Sequence, residues 1–178
     1  MRDILDFKKS ILYITNNDDL LEKSINFIQT SIKVNNVIIF KVYGTSLVNI
    51  STNESFHIKD IFSGFTAISG EENIVVDTNK DYRFNLVLKP KFKILGTSPI
   101  LNRKGDVSYV VEIQNNENII TNDTIDRLNI IISIIEQQLQ KICFDINLHE
   151  EWMSHLYSIQ NITHYKDNET SNHTIRVG

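Results

Sequence analysis

Cysteine, proline and glycine are scarce in this chain, with one, two and six copies among 178 residues. Cys143 alone can form no internal disulfide and cannot build a cysteine-based zinc site. No run of Lys or Arg stands out, and the formal net charge is -4. That balance offers no electrostatic footprint for nucleic acid or for an anionic membrane. The longest apolar cluster, Ile130-Ile131-Ile132 followed by Ile134-Ile135, is far too short to span a bilayer. Behind Met1-Arg2-Asp3-Ile4 there is no continuous apolar stretch of the kind a signal peptide needs. The expectation is an intracellular, cytoplasmic protein without a nucleic-acid or membrane partner.

Catalytic signatures are missing as well. His149-Glu150-Glu151-Trp152-Met153 begins like the zinc motif H-E-x-x-H, but Met153 stands where the second His is needed. His57, His155, His164 and His173 are scattered. No nucleophile–base pair and no phosphate-cradling glycine loop appears. The sequence therefore implies no metal, no cofactor and no enzyme.

What is present is a 41% apolar fraction, enough for a core, arranged in two periods. Ile4, Phe7, Ile11 and Ile14, then Leu21, Ile25, Ile28 and Ile32, fall at three-four spacing. The break at Asn16-Asn17-Asp18-Asp19 makes this two helices, or one helix with a break, with Asp19 and Glu22 spaced as a capping box. From Asn35-Asn36 the period becomes two, and Ile38, Phe40 and Val42 read as a strand. Short strands are expected at 47–51, 55–58 and 74–76, and 62–70 is mixed. Residues 77–92 are polar and irregular. Ile94–Leu101 and Val107–Gln114 form the clearest hairpin, with Val107, Tyr109, Val111 and Ile113 on its buried face.

A long helix follows, capped by Asn122 or Asp123. Its seam runs through Ile125, Leu128, Ile132, Ile135, Leu139, Ile142 and Ile146 to Met153 and Leu156. Ile130, Ile131 and Ile134 add a second apolar face. A helix apolar on two sides is buried on two sides; one can be the chain's own sheet, and the other needs another helix. From about Asn161 the chain is polar and without period, as in a tail. The organisation expected is helices over 1–33, a sheet over 34–120, a long helix over 121–160 and a polar tail over 161–178. The order of elements is α+β with antiparallel pairing.

One stretch carries a resemblance. Ser63-Gly64-Phe65-Thr66-Ala67-Ile68-Ser69-Gly70-Glu71, Asn73-Ile74-Val75-Val76-Asp77 and Asp81-Tyr82-Arg83-Phe84 are similar to the GAF family. Ser98-Pro99-Ile100, Gly105 and Val107–Val111 resemble its hairpin. The likeness runs from about Leu5 to Ile142 and is nearest in flavour to the GAF domains beside cyclic-nucleotide phosphodiesterases. It implies an antiparallel sheet of about six strands with the terminal helices packed on one face. It also implies a ligand pocket on the other face, under 62–69 and 81–93, at which Phe62, Ser63, Asp77, Arg83 and Thr97 are the candidates. Departures weaken the pocket. In the N-K-x(n)-F-x3-D-E element of nucleotide binders, Asn115 and Asp123 match. Asn116, Ile119 and Thr124 replace Lys, Phe and Glu, and the bracing Lys–Asp pair is lost. The 86–92 lid is short, with Phe92 near the place of a ligand-contacting Thr, and Ile61 and Tyr109 or Val110 stand where glycines are usual. A GAF-type sulfoxide reductase would need more than one cysteine.

Three functions follow as alternatives. The first is a non-catalytic regulatory or structural subunit of a larger, signalling or cytoskeletal complex, with a vestigial pocket. It would pair with a protein partner or a second copy through the seam Ile125, Leu128, Ile132, Ile135, Leu139 and Ile142. The bland counterpart is that both helical seams close on each other within one chain. The second is a sensor of a cyclic nucleotide or similar metabolite. The third, a free-standing enzyme, has little support.

Overall fold

The computed structural model describes residues 2–89, 91–116 and 121–176, with side chains followed as far as Ile159, Asn122 excepted. The N-terminal apolar period folds into α1 (Arg2–Ile11) and α2 (Asn17–Ile32). The break between them is capped three residues earlier than the Asp19/Glu22 spacing suggests. Asn16 Oδ1 accepts from the Asp19 backbone N–H at 2.8 Å, and its Nδ2 donates back to the Asp19 carboxylate at 2.6 Å. This is the reciprocal logic of a capping box. Ile4, Phe7 and Ile11 are buried, and Phe7 stacks on Phe27 with centroids 4.1 Å apart.

Six strands follow: β1 (Asn36–Tyr43), β2 (Ser46–Asn49), β3 (Ser55–His57), β4 (Asn73–Val75), β5 (Ile94–Leu101) and β6 (Val107–Asn115). All recorded pairings are antiparallel, in the order β3-β2-β1-β6-β5-β4. The expected hairpin is β5–β6, with Ser98 opposite Val111. Two elements differ from expectation. The mixed stretch 62–70 is a short helix, α3 (Ser63–Ser69), closed by Gly70 at φ +70°. The irregular segment carries a 3-10 turn at Tyr82–Asn85, capped by Asp81.

Alternation assigns the two faces. Val37, Ile39, Val111, Ile113 and Ile100 share one face and are buried. α2 packs along β1 on this side, next to the start of α4 (Asn122–Arg176). Gln138 Nε2 on α4 donates to the Ile14 carbonyl at 3.0 Å, and Arg127 reaches Ser31 and Asp3. Glu136 accepts from the Leu101 N–H at 2.7 Å. The other face is covered by α3, so both faces are buried, which an antiparallel sheet does not require.

α4 corrects the reading in two places. Its first turn is capped by Thr121, whose Oγ1 accepts from the Thr124 N–H at 3.3 Å, where Asn122 or Asp123 was expected. The helix also continues to Arg176, where a tail was expected. Extending an existing helix fixes one residue per new hydrogen bond, so polar residues can follow without a new nucleus. Residues Met1–Gln140 and Lys141–Gly178 form two separate compact units. No described helix is long and apolar enough to cross a membrane.

Candidate functional site

The side chains beneath α3 form two environments. On the β1–β2 side Phe40, Leu47, Ile58 and Ile61 make an apolar cluster joined by Phe56 and Ala67. On the β4–β5 side Phe62, Val75, Phe84 and Leu95 make a second, with Phe65 and Val87 against it. Phe62 and Phe84 stack at 4.8 Å. The space under α3 is thus occupied by the chain's own rings.

Between and around these clusters runs a polar strip. Ser63, the first residue of α3, hydrogen-bonds Glu112 on β6. Gln114 donates to the other oxygen of Glu112 at 2.5 Å, and Asn36 on β1 donates to Gln114 at 2.9 Å. Farther along α3, Thr66 meets Thr97 of β5 at 2.6 Å and accepts from Asn73 of β4 at 2.9 Å. Arg83 then holds the edge. Its guanidinium pairs with Asp81 at 2.6 Å, donates to Asn73 at 2.7 Å and lies 4.7 Å over the Phe62 ring. The Arg83 hydrogen bonds hold the Asp81 carboxyl below the ordinary carboxylate range. Burial pushes the Glu112 carboxyl the other way, upward, and the bonds from Ser63 and Gln114 offset that only in part.

Of the five pocket candidates, the structure brings four together. Ser63 and Thr97 are buried in the polar strip, Arg83 borders it, and Phe62 belongs to the core. Asp77 is not part of it. Its Oδ1 accepts from the Asn79 N–H at 3.0 Å, and its carboxylate lies 3.9 Å from Lys80, so it organises a turn. Glu112, Gln114, Thr66, Asn73 and Asn36 complete the strip and were not singled out from sequence. The available signal was Glu112 itself, the sole charge in a strand otherwise suited to burial. A separate cleft of about 280 Å³ opens on the α3 face turned from the sheet, against Ile58, Leu86 and Val87.

The interface candidates fare differently. Leu128, Ile132, Ile135, Leu139 and Ile142 are all buried in a single chain, and Ile125 is half-buried. Within the Met1–Gln140 unit, Leu128, Ile132, Ile135 and Leu139 are already covered without a second chain. Of the second apolar face, Ile131 is buried while Ile130 is 51% exposed. Ile119 of the degenerate nucleotide motif lies outside the described residues. Asn116 accepts from the Lys93 N–H at 3.1 Å, tying the end of the irregular segment to β6.

The Arg83 arrangement makes a checkable prediction. Arg83→Ala removes the Asp81 and Asn73 bonds and should cost about 1–2 kcal/mol in a denaturant melt. Arg83→Lys should recover little of it, because an ammonium cannot reproduce the fork.

No protein-family model and no curated protein sequence matches this chain. Solved structures do match in shape. The GAF domain of the phosphoenolpyruvate-protein phosphotransferase from Acinetobacter aligns with TM-score 0.67 at 14% identity, covering 83% of this chain and 93% of that one. Its counterpart from Coxiella burnetii also gives 0.67, at 9% identity, over 81% and 94%. The free methionine-R-sulfoxide reductase of Neisseria meningitidis, solved with its substrate, gives 0.67 at 11% identity, over 80% and 89%. The fold is that of GAF domains.

Proposed function

We propose that the chain is a non-catalytic regulatory or structural module that works by helix-mediated assembly within a larger complex. The observation that carries this reading is the surface of α4 after Lys141. Ile146, Leu148, Trp152, Met153, Leu156 and Tyr157 are exposed there, Trp152 to 63%. Ile146, Met153 and Leu156 continue the three-four spacing of the buried seam, and Leu148 and Trp152, four apart, form a neighbouring line. So many large apolar groups on one short helical stretch are costly to leave in water, about 1.5–3 kcal/mol for each fully buried side chain. The buried part of the seam docks the helix, and its continuation recruits.

The partner is a second copy or another protein's helix. Light scattering on the eluting protein should give a mass of at least two chains at tens of micromolar. Trp152 emission should shift to the blue as association proceeds. The double variant I146D/L156D should elute as a monomer with the thermal transition of the Met1–Gln140 unit retained. A monodisperse wild-type monomer whose Trp152 emission is unaffected by candidate partners would overturn the reading.

A second reading is favoured by the polar strip. Ser63, Thr66, Thr97 and Arg83 lie under or beside α3, where a sensor of the kind found beside phosphodiesterases would hold a small ligand. A sensor of a cyclic nucleotide would have to displace Phe62 and Phe84 to use that place. Calorimetric titration with cyclic GMP and cyclic AMP decides it, and no heat at high micromolar ligand counts against it. As for catalysis, Cys143 is exposed on α4 and is not among the residues that meet beneath α3.

A further inference from the structure

Glu112 is the one acidic side chain in the buried set among the described residues, at 5% exposure in the middle of the sheet. Ile38 of β1 and Thr97 of β5 flank it in register. Its described partners, Ser63 and Gln114, are neutral. None of the elements packed around it offers a countercharge. α3 (SGFTAIS) and β5 (ILGTSPIL) carry no charged residue, and β6 carries only Glu112. The one charge on β1, Lys41, alternates to the opposite face. The Arg83 guanidinium is held by Asp81 and Asn73 and is linked to this strip through Asn73, Thr66 and Thr97.

A carboxylate in such a place has only the two hydrogen bonds from neutral Ser63 and Gln114 to set against its lost hydration, whereas a carboxylic acid fits it. In the acid form one oxygen accepts from Gln114 and the other can share its proton with Ser63 Oγ. Ser63 is the first residue of α3, so this bond ties the start of that helix to the sheet.

We propose that protonated Glu112 is a latch that holds α3 on the sheet, and that loss of its proton releases α3 and uncovers Thr97, Gln114 and Asn36. The carboxyl that is raised in the folded chain makes the direction of the pH effect definite. The latch is fully present below the ordinary Glu range. It weakens as pH rises from there through the folded-state value, where the proton leaves to solvent. The device is independent of assembly through α4, and of the polar groups it uncovers Thr97 is one that the sensor reading would use.

Hydrogen exchange on the full chain tests it. After correction for intrinsic exchange, protection of the Gly64–Gly70 amides should fall about tenfold per pH unit across that window. Glu112→Gln, which keeps an acceptor for Gln114 and a donor for Ser63, should make protection independent of pH. Parallel curves for the two proteins would overturn the proposal. Should Glu112→Gln fail to fold, the wild-type carboxyl carbon shift decides. A titration above the ordinary Glu range that coincides with loss of α3 protection supports the latch, and titration in the ordinary range overturns it.

Discussion

Gly64→Ala is expected to destabilise the folded domain by about 3 kcal/mol or more, with a matching fall in denaturant midpoint. A Cβ built at Gly64 would lie 1.5 Å from the Ile58 carbonyl oxygen and 2.7 Å from its carbon. Both are backbone atoms, so no rotamer change relieves the overlap. The 57–60 turn is held in turn by the Leu88 N–H, which donates to the Asp60 carbonyl at 2.7 Å. α3 must therefore lift, and with it the Ser63–Glu112 and Thr66–Thr97 bonds. Against a typical total of about 5–15 kcal/mol, such a loss removes a large share. Gly105→Ala is the useful contrast. Nothing lies within 4 Å of its Cβ, and the φ of +85° limits the cost to about 1–2 kcal/mol.

The second large effect concerns the seam of α4. Ile135→Asp should unfold the Met1–Gln140 unit, at about 4–5 kcal/mol, and not merely dissociate an assembly. Ile135 is fully buried, so the new carboxylate would enter an apolar contact without a partner. Circular dichroism with light scattering separates the outcomes. Loss of the cooperative transition is expected, whereas a folded monomer would mean that this residue faces another chain after all. Ile130→Asp, half-exposed and five residues earlier on the same helix, should change stability by no more than about 0.5 kcal/mol.

Which features could be read from the chain depended on how far each was set by local pattern. The β5–β6 hairpin and the start of the long helix were legible because alternation and three-four spacing are strong over eight or more residues. α3 was not. Gly64, Thr66 and Ser69 give it no apolar stripe, and its helical form rests on close contact with Ile58 and on bonds to β5 and β6. The same gap hid Glu112. Tyr109, Val111 and Ile113 account for one face of β6, which leaves Glu112 and Gln114 looking solvent-facing until a helix is known to cover them. Phe62 was a pocket candidate by position in the motif, yet its ring is core, stacked on Phe84. Three-four spacing marks the seam through Ile132 and Ile135 for burial, but spacing does not say against what. Here it closes within the chain, and the exposed continuation was visible only once the burial of each turn was known.

The sheet ends on β3 and β4, three residues apiece. Such a border exposes very little unpaired backbone, and β4 is further blunted by Asn73, whose side chain is turned back to Thr66. Long, flat, open borders are where sheets recruit further strands and grow into fibres. This domain lacks that route among its described strands. Concentrated protein should therefore add no thioflavin-positive material through these edges as it associates.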